Sequence, residues 1–234
     1  MEKSPMREAT RLTQLLKLRA KPVAVKFQDS APAGVPHIDR AAPSGCTYWK
    51  YAAQGRTFYT EAADHYNCPI GAYTHGVDLP KEKAQELQGL IDTMVGLSYL
   101  DPAEVPGIPH RQGPLRVVVY APLESAGFEP DVVILSGTAR QMMLLAEAAH
   151  AAGVDCETNL VGRPTCAAIP AVMQSGRTAS NLGCIGNRVY TELPDDELYF
   201  AIAGKQLSRI VEKLEKIVTA NRELEKFHLA RASA

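Results

Sequence analysis

The chain has 234 residues, a length that fits one large domain or two small ones. Hydrophobic residues make up 46% and charged residues 22%, and 25 basic residues balance 26 acidic ones at a net charge of -1. This composition is that of a globular protein and excludes a binder held to nucleic acid or anionic lipid by a basic patch. The sequence has neither an apolar run of about 20 residues nor an N-terminal secretory signal, so we expect a cytoplasmic protein with no membrane or nucleic-acid partner.

The first hundred residues combine predicted helices with one clear strand. Leucines on one face predict an amphipathic helix over residues 6–19, and alternation predicts a half-buried strand over 22–27. A short helix is expected at 47–54, closed by Gly55. Between residues 85 and 97 the apolar spacing i, i+3, i+4, i+7 predicts a further helix, whose apolar face is Leu87, Leu90, Ile91 and Met94.

A proline-rich segment at 101–114 is the predicted linker between a first α/β half at 1–100 and a second α/β half at 115–234. Valine- and isoleucine-rich runs at 116–120 and 131–135 predict strands covered on both faces, and Thr138 is expected to cap the next helix. A long helix is predicted to begin after Pro194, with Asp195-Asp196-Glu197 in its first turn and frayed residues at its end. Its buried side is expected to consist of Leu207, Ile210, Val211, Leu214, Ile217 and Val218.

Four small features occur twice in the same order. Each copy has a cysteine, a Gly-Arg-Thr turn, a second cysteine followed by a glycine, and a Leu-Pro pair that is expected to precede a helix. This order predicts an internal duplication: two pseudo-symmetric α/β halves, with mixed sheets covered by helices. The duplication would bring together the four cysteines that the copies share, which are Cys46, Cys68, Cys166 and Cys184.

Of the five cysteines, Cys156 has no counterpart in the other copy and is excluded as a ligand. The other four lie next to glycine or proline, where tight turns expose the backbone N–H groups that stabilise metal-bound thiolates. Disulfides are disfavoured in a reducing compartment. The pattern favours a [4Fe–4S] cluster over zinc, since zinc sites usually show close C-x2-C pairs. Separate burial of the cysteines in the core stays open as an alternative.

The chain resembles the DUF169 family of prokaryotes from about residue 10 to 218. The matching segments are Pro22-Val23-Ala24-Val25-Lys26, Gly45-Cys46-Thr47-Tyr48-Trp49 with Gly55, Cys68-Pro69-Ile70-Gly71, Cys166-Ala167, Leu182-Gly183-Cys184-Ile185-Gly186-Asn187-Arg188 and Asp195-Asp196-Glu197-Leu198. The resemblance implies a cysteine-rich protein of anaerobic archaea and bacteria, a setting that suits an oxygen-sensitive cluster. The family pattern includes the four repeated cysteines and omits Cys156.

Several other side chains are candidates for substrate binding. Arginines near the cysteines could hold an anion or offset thiolate charge, two histidines could ligate metal or move protons, and a tryptophan could stack on a substrate. Surface ion pairs, satisfied histidines and core packing are the respective structural alternatives. These candidates are Arg56, Arg177, Arg188, His65, His75 and Trp49.

The leading hypothesis is an iron–sulfur protein that transfers electrons or performs redox or Lewis-acid chemistry on a small substrate. Its partners would be a small anionic substrate or a redox protein, and a homo-oligomer stays open. One alternative is a small-molecule-binding or sensing module with zinc or free cysteines. Another is a thiol-based enzyme with a cysteine nucleophile and His65 or His75 as its base. The sequence does not decide whether the protein is an enzyme.

Overall fold

The computed structural model describes residues 4–159 and 164–233. Its helices are α1 (Pro5–Leu16), α2 (Gly45–Ala53), α3 (Pro69–His75), α4 (Lys81–Gly96), α5 (Ala139–Ala151), α6 (Ala168–Ser175), α7 (Ile185–Thr191) and α8 (Leu207–Ala232). Its strands are β1 (Val23–Gln28), β2 (Phe58–Glu61), β3 (Val117–Pro122), β4 (Val132–Thr138), β5 (Cys156–Asn159), β6 (Thr178–Asn181) and β7 (Glu197–Ala203). No helix in these ranges is both long enough and apolar enough to span a bilayer.

The described strands form one mixed sheet in the order β2-β3-β1-β4-β7-β6-β5. Neighbouring strands are antiparallel, except that β5 and β6 are parallel. Side chains alternate between the faces, so that Val132 and Ile134 of β4 enter one core while Val133 and Leu135 enter the other. Helices α1, α5 and α8 supply buried residues to one core, and α2, α3 and α6 supply them to the other. The expected α/β fold with a mixed sheet covered by helices is confirmed.

The cap and core predictions for α5 and α8 are confirmed in most details. Thr138 caps α5, and its hydroxyl accepts a hydrogen bond from the backbone N–H of Gln141. Helix α8 buries every residue of its predicted apolar side apart from Ile217, which is partly buried.

The prediction for residues 194–206 is wrong. Strand β7 lies between Pro194 and α8, so Asp195-Asp196-Glu197 leads into a strand and not into a helix. The strand forms because β7 pairs with β4 on one side and β6 on the other, which outweighs the local helix-start signal. The end of the chain is also more regular than expected, since α8 continues to Ala232 with exposed side chains in its last turns.

The strand arrangement agrees with several expectations of a duplication. On one side of the central antiparallel β1–β4 pair the order is β1-β3-β2, and on the other it is β4-β7-β6. A helix, a strand and a second helix follow in the same order around the cysteines of each copy. The last feature differs, because Leu79-Pro80 precedes helix α4 whereas Leu193-Pro194 precedes strand β7. The internal duplication therefore stays a prediction.

The predicted linker at 101–114 does not interrupt the sheet. It contains a 3-10 helix, Pro102–Gly107, and leads into β3. Although β3 follows the linker, it pairs with β1 and β2. The first strand triplet therefore includes residues on both sides of the proline-rich segment.

Candidate functional site

Four cysteines lie at the starts of helical segments on one side of the sheet. Cys46 is the second residue of α2, and Cys68 and Cys184 are the N-caps of α3 and α7. Cys166 lies in the 3-10 turn that leads directly into α6. Backbone N–H groups at such positions point out of the helix and can donate to sulfur. At α7 this contact is formed, because the N–H of Asn187 donates to Sγ of Cys184 at 3.4 Å.

These four thiols belong to one electrostatic neighbourhood. The pKa of Cys46 is raised to about 12, mainly by burial and in smaller part by the charges of Cys68 and Cys184. Burial also raises the pKa of Cys166 well above its usual value, with added contributions from the charges of all three other cysteines. The hydroxyl of Ser44 accepts a hydrogen bond from the N–H of Cys46 and lies 3.9 Å from Sγ of Cys68, and the N–H of Cys184 donates to the hydroxyl of Thr165, the residue before Cys166. The fold therefore brings together four cysteines that are far apart in sequence. All of them are free thiols.

The four cysteines differ in their exposure to solvent. Cys46 and Cys166 are buried, whereas Cys68 and Cys184 are partly exposed. The buried pair lies within the hydrophobic core on this face of the sheet. The site is therefore closed on the side of the sheet and more open on the side of α3 and α7.

Two glycines shape the turns at the partly exposed cysteines. A β-carbon at Gly71 would lie 2.8 Å from Sγ of Cys68, so a side chain there would displace the thiol. Gly183 has a φ of +82°, a left-handed conformation that directs the chain into Cys184 and that residues with a β-carbon rarely adopt.

Buried polar atoms without a hydrogen-bond partner collect around the thiols. Folded proteins leave few such atoms, because an unsatisfied buried group costs about 1–3 kcal/mol. Burial is the main cause that raises the pKa of Tyr120, and the charges of Tyr48, Cys46 and Cys166 add to it, which places the Tyr120 hydroxyl near these thiols. Neither amide atom of Asn187 has a hydrogen-bond partner of good geometry, although the amide lowers the pKa of Cys46 against the larger effect of burial. The unpartnered atoms here are Tyr120 Oη, Asn187 Nδ2 and Asn187 Oδ1.

Two buried imidazoles lie beside this group. The rings of His65 and His75 are 5.3 Å apart, and burial lowers the pKa of both, that of His75 to about 4. Nδ1 of His75 is 2.8 Å from the carbonyl oxygen of Gly71, and Nε2 of His65 is 2.9 Å from the hydroxyl of Thr60. The second nitrogen of each ring, Nε2 of His75 and Nδ1 of His65, has no partner. Both rings are therefore neutral at pH 7, and each keeps one free nitrogen.

Thr74 is a residue that the histidine and thiol groups share. Thr74 precedes His75, and its hydroxyl donates to the carbonyl of Gly71 and lies 3.1 Å from Nδ1 of His75. The same side chain lowers the pKa of the Cys166 thiol against the larger effect of burial. Thr74 thus lies between Cys166 and His75.

Cys156 lies apart from this group, in strand β5. Burial is the main cause that raises its pKa, and its remaining polar contacts are with residues of β5 and β6. The main causes of its pKa shift therefore do not include the other four cysteines.

The three candidate arginines have partners away from the thiols. Arg56 forms an ion pair with Asp39 at 2.9 Å, and Arg177 lies 3.7 Å from a carboxylate oxygen of Asp155. Arg188 donates to main-chain carbonyl groups on both sides of α7. Their observed contacts are therefore structural, and a role in holding a substrate anion stays a prediction.

Trp49 is buried and packs edge-on against Tyr199, with ring centroids 5.5 Å apart. Its contacts therefore agree with the alternative that Trp49 is a core residue.

The structure places two further residues at the thiols, Tyr120 and Asn187, to which the sequence patterns gave no role. Asn187 stands three residues after Cys184, at a helix start where side chains often face the N-cap, and Tyr120 is the one aromatic residue in a valine-rich strand.

Within the described ranges, no three His, Cys, Asp or Glu side chains converge as ligands of one metal ion. Four zinc–thiolate bonds of about 2.3 Å would hold the sulfurs about 3.8 Å apart in a tetrahedron. The four thiols therefore do not form a ready-made single-ion site in this conformation.

Comparisons with known proteins agree with the resemblance seen in the sequence. The model of the DUF169 family, described as uncharacterised ArCR, matches residues 11–213. The chain is also similar to the uncharacterized protein MJ0308 of Methanocaldococcus jannaschii, with 27% identity over 224 residues that cover 92% of this chain and 96% of the relative. No solved structure gives a significant match. Because the family match covers most of the chain, including all four clustered cysteines, the protein belongs to the DUF169 family.

Proposed function

We propose that the protein binds a [4Fe–4S] cluster through Cys46, Cys68, Cys166 and Cys184. One observation carries the proposal: four cysteines from four separate segments meet in one partly buried neighbourhood. Cysteines that are buried separately would not need to lie within reach of one another's charges. Cys156 is such a case, because its pKa shift comes mainly from burial and from contacts within β5 and β6. Four thiolates are the usual ligand set of such a cluster.

The surroundings fit the chemistry of this group. The sulfides and thiolates of a cluster accept hydrogen bonds, and these bonds help to set its reduction potential. The hydroxyl of Tyr120 and the amide of Asn187 lie at the thiols and have no hydrogen-bond partner of good geometry. A bound cluster would therefore satisfy polar atoms that otherwise lack partners. It would also replace the protons of Cys46 and Cys166, whose raised pKa values keep them as thiols in the free protein.

The cluster would supply reversible one-electron chemistry or, with one iron open, a Lewis acid. The chain itself contributes the remaining features. Its core closes the site behind Cys46 and Cys166, so access for a redox partner or substrate is on the side of Cys68 and Cys184. The backbone N–H of Asn187 holds the sulfur of Cys184, and neutral His65 and His75 each offer a free ring nitrogen for a hydrogen bond.

A second candidate is a thiol-based enzyme. The partial exposure of Cys68 and Cys184 and the neutral imidazoles nearby favour it. The raised pKa of Cys46 and Cys166 counts against these two as nucleophiles, since the thiolate is the reactive form. A zinc site would require the side chains to move closer together than they are in the described conformation.

Anaerobic purification followed by metal and sulfide analysis tests the proposal. We expect a brown protein with broad visible absorbance and about four irons per chain. Cys68→Ser and Cys184→Ser should each lose or convert the cluster, and Cys156→Ser is the matched control that should keep iron content and spectrum unchanged. Full iron retention in Cys184→Ser would overturn the four-ligand assignment. A colourless protein with stoichiometric zinc, or a metal-free protein with one fast-reacting thiol, would support the alternatives instead.

A further inference from the structure

The two partly exposed cysteines stand at equivalent positions of two helices, but their sulfur atoms are held differently. Cys184 is the N-cap of α7, and its Sγ accepts a hydrogen bond from the backbone N–H of Asn187 at 3.4 Å. Cys68 is the N-cap of α3, and its Sγ accepts no hydrogen bond from the first turn of that helix. One thiol is therefore fixed by its own helix and the other is not.

This difference has a local cause in the sequence and in the backbone. The first residue of α3 is Pro69, which has no N–H to donate, whereas α7 begins with Ile185. Cys68 has φ and ψ of -127° and 79°. Cys184 has -71° and 164°, the extended conformation in which an N-cap side chain usually faces the N–H groups of the first turn. The backbone therefore directs Sγ of Cys184 toward those donors, but not Sγ of Cys68.

The third residue after each cysteine adds to this contrast. Asn187 is 1% exposed, and its amide lies near Cys46, whose pKa it lowers against the larger effect of burial. The equivalent position in α3 is Gly71, which has no side chain to donate a hydrogen bond. Sγ of Cys68 lies 3.9 Å from Oγ of Ser44, a distance at which a hydrogen bond is weak even for sulfur. The sulfur of Cys68 is therefore held more loosely than that of Cys184.

The other two cysteines are enclosed by the core. Cys46 and Cys166 are 5% and 3% exposed, so neither thiol can move away from a bound cluster without displacing its closely packed neighbours. Cys184 is held by the N–H of α7. Cys68 combines partial exposure with a sulfur that its own helix does not hold. Of the four cysteines, Cys68 is therefore the one whose release requires the least rearrangement.

Space for an incoming molecule adjoins the turn that carries Cys68. A cavity of about 470 Å³ lies beneath the apolar face of α4. The described part of its wall includes Ile70, two residues after Cys68, together with Leu87, Leu90 and Ile91 of α4. The volume is within the range of small-molecule sites. A molecule in this cavity would therefore lie beside the most loosely held cysteine.

We propose that Cys68 is the exchangeable ligand of the cluster, and that a small-molecule substrate coordinates the iron that Cys68 releases. In this exchange the bond between iron and Sγ of Cys68 breaks, a lone pair of the incoming molecule takes the free position, and the released thiolate takes a proton from solvent. The other three thiolates hold the cluster throughout. This role of Cys68 rests on the proposed function and favours Lewis-acid chemistry on a substrate over electron transfer alone.

Oxidation of the anaerobically purified full chain with ferricyanide tests which cysteine is released. Loss of one Fe²⁺ and one electron converts [4Fe–4S]²⁺ to [3Fe–4S]⁺, and ferricyanide accepts that electron. The product gives an electron paramagnetic resonance signal that the parent cluster lacks. Iodoacetamide then alkylates the released thiol, and mass spectrometry of the peptides identifies the modified cysteine.

After oxidation, Cys68 should be alkylated at least about tenfold faster than Cys184, the factor that one hydrogen bond to a charged sulfur provides. Cys156 lies outside the site and is the internal reference, so its rate of alkylation should be the same before and after oxidation. This measurement uses the wild-type chain and does not depend on the folding of a variant.

Two matched variants and a probe ligand extend the test. Cys68→Ala should keep about three irons per chain as a [3Fe–4S] cluster. Cys184→Ala should lose most of its iron, because it removes a thiolate that α7 holds in place. Fe²⁺ of a Mössbauer-active isotope, added with dithionite to the oxidised wild type, should refill the vacant position. Cyanide, as a small probe ligand, should then change the Mössbauer signal of that iron.

Alkylation of Cys184 ahead of Cys68, or release of several cysteines together, would overturn the assignment of Cys68 while the four-ligand cluster stands. A Mössbauer signal that cyanide leaves unchanged would contradict the coordination of a small molecule at that iron. Iron and sulfide analysis before oxidation separates the two proposals. A chain without iron would overturn the cluster itself and, with it, the exchange of Cys68.

Discussion

The buried imidazole of His75 makes the stability of the protein depend on pH in a direction that the structure determines. Burial lowers its pKa from 6.5 to about 4, so the folded state binds this proton less readily than the unfolded state. Above pH 6.5 the ring is neutral in both states and has no effect on the pH dependence. As the pH falls below 6.5, the unfolded chain takes up a proton that the folded chain does not, and stability is lost.

The size of the effect follows from the two pKa values. One proton of difference lowers the free energy of unfolding by about 1.4 kcal/mol per pH unit. Between pH 6.5 and 5 this amounts to about 2 kcal/mol, and the full contribution down to pH 4 is about 3 kcal/mol. Burial also lowers the pKa of His65, which adds a loss of the same sign.

His75→Asn isolates this contribution. The asparagine amide can donate to the carbonyl of Gly71 as Nδ1 of His75 does, but it does not titrate. Urea unfolding of wild type and variant at pH 7.5, 6 and 5, with a chelator present, gives the free energy of unfolding in each case. The variant should be less stable at pH 7.5 because it loses the ring contacts with Phe27 and His65, yet its stability should fall less steeply with acid.

The test compares how steeply the free energy of unfolding falls with decreasing pH in wild type and in His75→Asn. Carboxylates that titrate near pH 5 are present in both and cancel in the comparison. If the two curves of unfolding free energy against pH run parallel from pH 7.5 to 5, the imidazole of His75 is not held neutral by burial.

Three further substitutions probe the cysteine site. Gly71→Ala should lower the iron content of the anaerobically purified protein, because its methyl group would lie 2.8 Å from Sγ of Cys68; Gly186→Ala, where a β-carbon meets nothing within 4 Å, should retain iron and serves as the control. Tyr120→Phe should leave the metal-free protein as stable or up to about 2 kcal/mol more stable in urea, since it removes an unpartnered buried hydroxyl, and a loss of stability there would reveal a missed partner. Arg188→Lys should lower the free energy of unfolding by about 1–3 kcal/mol, because lysine cannot reproduce the guanidinium hydrogen bonds to the carbonyl groups around α7. An unchanged unfolding curve in urea would contradict this role of Arg188.

Local patterns in the sequence predicted elements that depend on near neighbours. The spacing of apolar residues identified α4, and the valine and isoleucine runs identified β3 and β4. The cap at Thr138 could be read directly because it depends on a side chain and an N–H three residues apart. Strand β7 was missed, since its acidic start resembles a helix start and its strand form depends on pairing with β4 and β6.

The residues of the candidate site were likewise predicted only in part. Glycine and proline next to each cysteine, together with the repeated order, were enough to select four cysteines and to set Cys156 apart. Tyr120 could not be selected, because it is far from the cysteines in sequence and only the strand order places its side chain in the same core as Cys46 and Cys166. The partners of the arginines could not be predicted either, because Asp155 meets Arg177 only through the pairing of β5 with β6, and Asp39 and Arg56 belong to different segments of the chain.

The sequence by itself determined the α/β class and most of the helices, and it indicated which four cysteines lie together, because periodicity, capping and turn preferences act over a few residues. The tertiary structure alone decided how those cysteines share a neighbourhood, which polar atoms around them lack partners, and that the apolar face of α4 overlies a cavity. Those features depend on contacts between segments that are far apart in the chain. Such contacts are set by the order of strands in the sheet and by the volume left between packed helices, and neither leaves a periodic trace in the sequence.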